Sequence, residues 1–376
     1  MLAFDMGLGK TFTALGIARE MIQTQSNIKV SICAPASLLP NWRESARLFD
    51  IPIYTSSYDA RIPPIITKDT LVILDECHYL KNRDSNRWKR LYPALLKTNM
   101  RVLLTGTPMP NKPAELFTQL ILLGMKQTWM SFTTQFCAGR YRHIRIGKHK
   151  KRIWDVSGST QQNKLTSLIN IHGVQFVHKR DVLPNLPTLT RTVVWFEMTQ
   201  THHAPELPTL VAYATTMLQL RIQHKPIWAH LLRLCQNEHR TLIFAKHTKL
   251  LQHTSQFLTL RGIPNYVIDG SSSVHMRQDM IQNAAIQKNI LICSIGAMGT
   301  GFNATQYKQM IFLECSWSAG DQAQCEARIH RIGQSHHCLI YYFLIKNTVD
   351  EQLWHTIRRK KKWITQLCRQ TDDSIL

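Results

Sequence analysis

The stretch Gly7-Leu8-Gly9-Lys10-Thr11 constrains this 376-residue chain more than any other. Two glycines one residue apart precede a Lys-Thr pair, and apolar residues then recur at helical spacing (Phe12, Leu15, Ala18, Met21). That pattern reads as a tight loop opening a helix. Glycines let successive backbone N–H groups curl toward one point, and a helix N-terminus adds positive potential there. Met6, Gly7, Leu8, Gly9, Lys10 and Thr11 are therefore candidates for cradling phosphate, with Lys10 reaching its outer oxygens and Thr11 placed to ligate Mg²⁺. The full G-x-x-x-x-G-K-[ST] pattern is not met, because Phe4 stands where the first glycine would be. Such a loop needs a strand in front of it, and the chain supplies only Met1 to Phe4 for that purpose.

Length suggests two domains, each able to bury its own core. No run of about eighteen apolar residues predicts a membrane span, and no basic segment followed by an apolar one predicts a secretory signal. Charge is more informative. Lys plus Arg number 46 against 24 acidic residues, a formal net charge of +22, so polyanions are the expected partners and binding to them should weaken with salt. Nine cysteines are scattered with no C-x-x-C pair. Several sit inside apolar runs, such as Ile32-Cys33-Ala34, which predicts reduced, buried thiols in an intracellular protein and no zinc site.

Along the chain, apolar strands alternate with helical stretches. Lys29-Val30-Ser31-Ile32-Cys33-Ala34 ends at Pro35, and Ser37 to Arg43 leads into a helix through Leu48. Thr70-Leu71-Val72-Ile73-Leu74 is a continuous apolar run of the kind buried on both faces of a parallel sheet. It delivers Asp75-Glu76 at its carboxyl end, where open α/β sheets place their chemistry. One carboxylate there can hold Mg²⁺, and the next can polarise a water that attacks a phosphoryl group. Met100-Arg101-Val102-Leu103-Leu104 ends likewise in Thr105-Gly106-Thr107.

From about 132 to 190 the pattern changes. Residues 140–152 hold seven Lys or Arg, interleaved with Tyr141, His143 and His149 and followed by Trp154. Such a segment either tracks a nucleic-acid backbone, with Tyr141 or Trp154 stacking on a base, or is a solvated basic loop. Residues 180–187 read as an extended, proline-stiffened crossing. Residues 191–238 read as mostly helical, with a break at 202–208. A second alternation follows, with strands expected at 241–245, 266–269, 290–294, 310–314 and 339–344. Arg328 and Arg331 are three apart, so on a helix they would share a face and could stabilise charge on a phosphoryl group. The basic patch Arg358-Arg359-Lys360-Lys361-Lys362 reads as a nucleic-acid contact, an import signal or a solvated helix face.

Together these stretches resemble the helicase-like ATPases of superfamily two, in their Swi/Snf branch. The matching segments are Asp5 to Thr11, Ala34 to Trp42 (APASLLPNW), Asp75 to Asn82 (DECHYLKN), Leu104 to Asn111 (LTGTPMPN), Ser294 to Thr305 (SIGAMGTGFNAT) and Gln324 to Gln334, ending His-Arg-Ile-Gly-Gln. Trp154-Asp155, Ser157-Gly158-Ser159 and Asp181-Val182-Leu183 look most like the annealing-helicase (HARP-like) subgroup. The resemblance implies an α/β fold of two RecA-like lobes with ATP in the cleft between them. Lobe one would occupy 1–130, a basic, partly helical insertion 131–190, and lobe two 191–376. Lys10 and Thr11 would hold phosphate and Mg²⁺, Asp75 the metal and Glu76 the attacking water. Gln324, Arg328 and Arg331 would come from lobe two, and Thr105, Gly106 and Thr107 would couple nucleotide state to movement. Pro35, Ser37, Gly299, Asn303 and Thr305 would contact DNA, duplex or forked, through its backbone. The implied activity is ATP-driven translocation on DNA in repair or chromatin remodelling, with protein partners on DNA. The location would be intracellular: the nucleus for a eukaryotic protein or a virus replicating there, the cytoplasm or nucleoid for a bacterial or phage one.

The chain departs from the family at Phe4, usually acidic, and at 176–179, where an arginine pair is not reproduced. The interval from Pro35 to Asp75 is short, and no adenine-recognising glutamine motif precedes the loop. Lobe one is therefore expected to lack its N-terminal part. Two other readings stand beside the translocase: a catalytically weak DNA-binding remnant and a strand-separating helicase.

Overall fold

In a computed structural model that describes residues 1–60, 66–146, 149–198, 210–237, 239–287, 290–298 and 302–367, the chain divides into two units, with Met1–Val182 in the first and Leu183–Lys361 in the second. The first is built on strands β1 (Leu2–Phe4), β2 (Lys29–Ala34), β3 (Ile53–Ser57), β4 (Thr70–Asp75), β5 (Arg101–Leu104), the hairpin pair β6 (Arg140–Ile146) and β7 (His149–Asp155), and β8 (Gln175–Val177). All but the hairpin form one sheet in the order β3-β2-β4-β5-β1-β8, parallel throughout.

Strand β4 shows why this sheet is two-sided. Every residue from Thr70 to Asp75 is buried. Leu71 and Ile73 pack with Ala14, Leu15, Trp42 and Ala46 on one face, whereas Val72 and Leu74 pack with Trp88, Leu91 and Leu120 on the other. Side chains alternate across a strand, so an unbroken apolar run can pack only where helices cover both faces. The helices that do so include Lys10–Thr24, Leu39–Leu48 and Asn86–Leu95. Each fully buried Leu or Ile contributes roughly 1.5–3 kcal/mol.

The second unit contains β9 (Leu189–Phe196), β10 (Thr241–Ala245), β11 (Asn265–Ile268), β12 (Ile290–Ser294), β13 (Gln309–Phe312) and β14 (Cys338–Ile345). They form a sheet in the order β11-β12-β10-β13-β14-β9, again wholly parallel. Ile243, Ile292, Ile311 and Phe343 face the helices on one side. The aromatic rings of Phe244, Phe312 and Tyr342 stack in a row, with centroids 5.5 and 4.9 Å apart. Two mostly parallel sheets flanked by helices are the two RecA-like lobes expected.

Several expectations change. The few residues before the glycine loop suffice for a strand: β1 lies between β5 and β8, its Leu2 in register with both Leu104 and Gln175. The segment 131–190 contributes to both sheets. Its β8 closes the first sheet and its last residues begin the second. Residues 191–196, read as helical, belong to β9, where β-branched Thr190, Thr192, Val193 and Val194 pair along eight positions with β14. Within 180–187, residues Lys179–Val182 make a helical turn, because a following proline restrains only its immediate neighbour Leu183. The break expected at 202–208 lies outside the described residues. Among the described residues, no helix is long and apolar enough to cross a membrane, no three potential ligands cluster as a metal centre, and the eight described cysteines are buried.

Candidate functional site

The loop after β1 turns at two left-handed glycines, Gly7 (φ 88°) and Gly9 (φ 73°), a conformation that costs other residues about 1–2 kcal/mol. Gly9 caps the fifteen-residue helix Lys10–Thr24, and a side chain added at Gly9 would meet only open space. The backbone N–H groups that open this helix are the kind that can bind an anion. Lys10 Nζ lies over the loop, donating to the carbonyls of Phe4 (2.9 Å) and Asp5 (3.3 Å). A Cβ on Gly106 would come within 2.7 Å of Met6 Cγ and 3.4 Å of Lys10 Nζ. The Thr105-Gly106-Thr107 turn thus packs directly against the loop, and a side chain at 106 would have to push Met6 aside.

Asp75 and Glu76 close the other side, at the end of β4. Asp75 is almost fully buried, and its carboxylate accepts from Trp42 Nε1 (2.8 Å) and from the Glu76 backbone N–H (2.9 Å). The Tyr58 hydroxyl donates to the Asp75 carbonyl at 2.8 Å. Burial first, and then the neighbouring Glu76 charge, push the Asp75 pKa up to about 6; the Trp42 hydrogen bond, the Lys10 charge and the Glu76 N–H oppose the rise. Glu76 itself is left-handed (φ 51°, ψ 51°), local strain of about 1–3 kcal/mol of the sort that collects at functional sites. His78 Nδ1 lies 3.2 Å from Glu76 Oε2 and 3.2 Å from Thr105 Oγ1, and Thr107 N–H donates to Thr105 Oγ1 at 3.0 Å. The acidic pair and the threonine turn are therefore one hydrogen-bonded unit.

Residues without an obvious role in the sequence hold this unit in place. Gln119 accepts from Cys77 Sγ (3.3 Å) and donates to the Pro108 carbonyl (2.7 Å). Buried Glu115 accepts from the Asn111 and Lys112 backbone N–H groups and pairs with Lys81 at 3.1 Å. Asp5 accepts from the Lys179 N–H at 2.9 Å and lies 3.5 Å from His178. Burial pushes the Asp5 pKa up, but the bonds from His178 and Lys179 more than offset it and hold the carboxyl below its ordinary value. Trp42 and His78 lie in the motif segments quoted above, whereas nothing in the local sequence singles out Tyr58, Glu115, Gln119 or His178, whose partners are distant in the chain.

In the second unit, Gln324 is buried on the helix Ala319–Glu326. Arg328 and Arg331 do not share a helix face, because the helix ends at Glu326 and the chain turns through Arg328 N–H to Cys325 O (3.0 Å) and His330 N–H to Glu326 O (3.1 Å). Glu326 is drawn away into a buried pair with Arg191 (2.7 Å) and a bond from Tyr342. Burial raises its pKa, but the Arg191 and Lys361 charges outweigh that and bring it to about 2. Arg328 donates to Phe302 O (3.4 Å), and its own carbonyl accepts from Ala304 N–H (3.1 Å). Burial lowers the pKa of Arg331. The Thr305 side chain sits beside Gly333, and Gln334 donates to Tyr307 O (3.0 Å). The two motif segments of this unit thus lie together, with Asn303 exposed. Gly299 lies outside the described residues. At the end of β2, Pro35 is buried, so Ala36 and half-buried Ser37 provide the surface of that turn.

The donor set suits a nucleotide with a divalent cation. Two adjacent carboxylates, whose repulsion and burial raise the Asp75 pKa, would be relieved by a dication beside Thr11.

The sequence profile of the SNF2-related domain matches residues 65–205, and that of the helicase conserved C-terminal domain matches 226–333. The chain is 26% identical over 412 residues to the fly (Drosophila melanogaster) SWI/SNF-related matrix-associated actin-dependent regulator of chromatin subfamily A-like protein 1, covering 98% of this chain and 53% of that protein. It is 28% identical over 418 residues to the mouse (Mus musculus) DNA annealing helicase and endonuclease ZRANB3, covering 96% and 38%. The chain therefore spans about half or less of the length of these relatives. Among solved structures it is similar to the Sulfolobus solfataricus SWI2/SNF2 ATPase core in complex with dsDNA, at 18% identity and a TM-score of 0.41, covering 96% of this chain and 87% of that one.

Proposed function

We propose that this chain, which belongs to the Swi/Snf-type helicase-like ATPases of superfamily two, hydrolyses ATP to move along or remodel duplex DNA, in the manner of the annealing-helicase subgroup. The observation that carries the reading is the convergence, at the carboxyl ends of β1, β4 and β5, of a left-handed glycine loop, Lys10, the buried Asp75 and the strained Glu76. Lys10 and the loop N–H groups would hold the β- and γ-phosphates. Mg²⁺, held by Thr11 and Asp75, would neutralise phosphate charge as it builds. Glu76 would orient and polarise the attacking water, with His78 fixing it against Thr105. Arg328 and Arg331 would stabilise charge on the phosphoryl oxygens, and Gln324 would assist them. Thr105, Gly106 and Thr107, which touch both loop and acidic pair, would report nucleotide state to the rest of the unit. Ser37, Asn303 and Thr305 would meet the DNA backbone.

The test is ATP hydrolysis by the purified chain with and without duplex DNA. Wild type should be stimulated by duplex. Lys10→Ala should be inactive, and Glu76→Gln should bind a fluorescent ATP analogue without turning it over. Equal background rates for wild type and Lys10→Ala in the presence of DNA would instead identify a binding remnant. Equal stimulation by single-stranded RNA would identify a strand-separating helicase.

A further inference from the structure

The hairpin β6–β7 forms its own two-stranded sheet, and none of the nucleotide-site roles uses it. Its register places Tyr141 opposite Trp154, His143 opposite Arg152 and Arg145 opposite Lys150, all on one face; Arg142 opposes Ile153 and Ile144 opposes Lys151 on the other. Like-charged residues directly opposite one another destabilise a ribbon, and an isolated two-stranded hairpin is marginal to begin with. Its carboxylate, Asp155, is already committed to Arg142 at 3.0 Å and to the Ser157 N–H, and the Arg142 hydrogen bond brings its pKa to about 2. Among the described residues, no carboxylate pairs with Arg145, Lys150, Lys151 or Arg152, and all four are exposed. The ribbon thus carries repulsion that no carboxylate among the described residues relieves.

The base of the ribbon, by contrast, is tightly seated. Trp154 packs against the core of the first unit and donates to Thr133 Oγ1 at 3.0 Å. A Cβ on Gly139 would lie 2.7 Å from the Trp154 ring and 2.9 Å from the Thr133 backbone. Thr160 ties the exit of the ribbon to the helix Trp129–Phe136 through Gln135 O (2.7 Å) and Phe136 O (3.0 Å). Base stacking is not what the aromatics offer: the Trp154 ring is the anchor, and the Arg152 guanidinium covers the Tyr141 face at 3.6 Å. What projects is a rooted blade with cations on both faces.

We infer that this ribbon is a duplex-DNA contact, entering a groove so that the phosphate rows on either side neutralise its two cationic faces. A two-stranded ribbon fits the major groove, and a partner with anionic walls on both sides answers a blade charged on both faces better than a flat anionic bilayer or one flexible strand. The inference rests on the reading of the chain as acting on DNA, but its readout is equilibrium binding without nucleotide, so a failure of hydrolysis leaves it separately testable. The variant R145Q/K150Q/K151Q removes charge from both faces, and R145K/K150R/K151R preserves it. Binding to a fluorescein-labelled duplex, followed by anisotropy across a salt series, should show a slope of log K against log[salt] that is shallower by about 2–3 for the glutamine variant. Affinity should fall about tenfold or more in 0.1 M salt, the thermal midpoint should not fall, and the swapped variant should match wild type. An unchanged slope and affinity would overturn the inference. So would an equal loss on a single strand, or a loss confined to phosphatidylserine vesicles.

Discussion

Removing one buried N–H tests how the acidic pair is held. Trp42 is 1% exposed and its indole donates to Asp75 at 2.8 Å, so Trp42→Phe deletes a hydrogen bond and leaves a small cavity. The cavity cost does not depend on pH. The hydrogen bond does: to an ionised carboxylate it is worth about 1.5–3 kcal/mol, to a protonated one about 0.5–1.5 kcal/mol. Burial first, and then the Glu76 charge, push the Asp75 pKa from the ordinary 3.8 up to about 6. A carboxyl raised in this way favours folding most at low pH, and that contribution fades as pH rises through about 6. At pH 5 Asp75 is mostly protonated and at pH 8 it is ionised. Trp42→Phe should therefore cost about 1–1.5 kcal/mol more at pH 8 than at pH 5. For a unit of this size that is an extra fall of roughly 2–6 °C in the melting midpoint. The assay is thermal unfolding of wild type and variant at both pH values, in EDTA and without nucleotide. A loss of equal size at the two pH values would refute the argument, since only the cavity would then have been felt.

Gly106→Ala should raise the KM for ATP about five- to tenfold in a steady-state ATPase assay, because its Cβ would displace Met6 and crowd Lys10 Nζ. Glu115→Ala leaves two backbone N–H groups and Lys81 without their acceptor, so chemical denaturation should show a loss of about 2–3 kcal/mol from the first unit. In the second unit, the hydrogen bond to Glu314 raises the His247 pKa against the effect of burial. Burial likewise works to raise the Glu314 pKa, but His247 and Arg221 hold it down. The Glu314 contribution is present above about pH 4.5 and that of His247 is lost as pH rises above 6.5. Glu314→Gln should accordingly lower the melting midpoint more at pH 6 than at pH 8.5.

The Gly-Leu-Gly-Lys-Thr loop, the Asp-Glu pair and the two runs of strands were legible because each is local chemistry written in consecutive residues. A buried parallel strand must be apolar throughout, a phosphate turn must have glycine, and metal-holding carboxylates sit where a strand ends. The same locality explains the misreadings. Leu189–Phe196 is a strand because β14 lies beside it, and Arg328 lies beyond the helix, which ends at Glu326, a residue held by distant Arg191 and Tyr342.

Only the tertiary structure could reveal the support beneath the site. Trp42 reaches Asp75 across 33 positions, His78 bridges Glu76 and Thr105, and Lys179 clasps Asp5 across 174. Such bonds form when sheet order brings strand ends together, and no short-range pattern encodes which ends will meet. The glycine loop itself shows the division. Its residues specify a turn able to bind phosphate, whereas its placement, with Gly106 against Lys10 and Asp5 tied to Lys179, was decided by long-range pairing that sets the short strand β1 between β5 and β8.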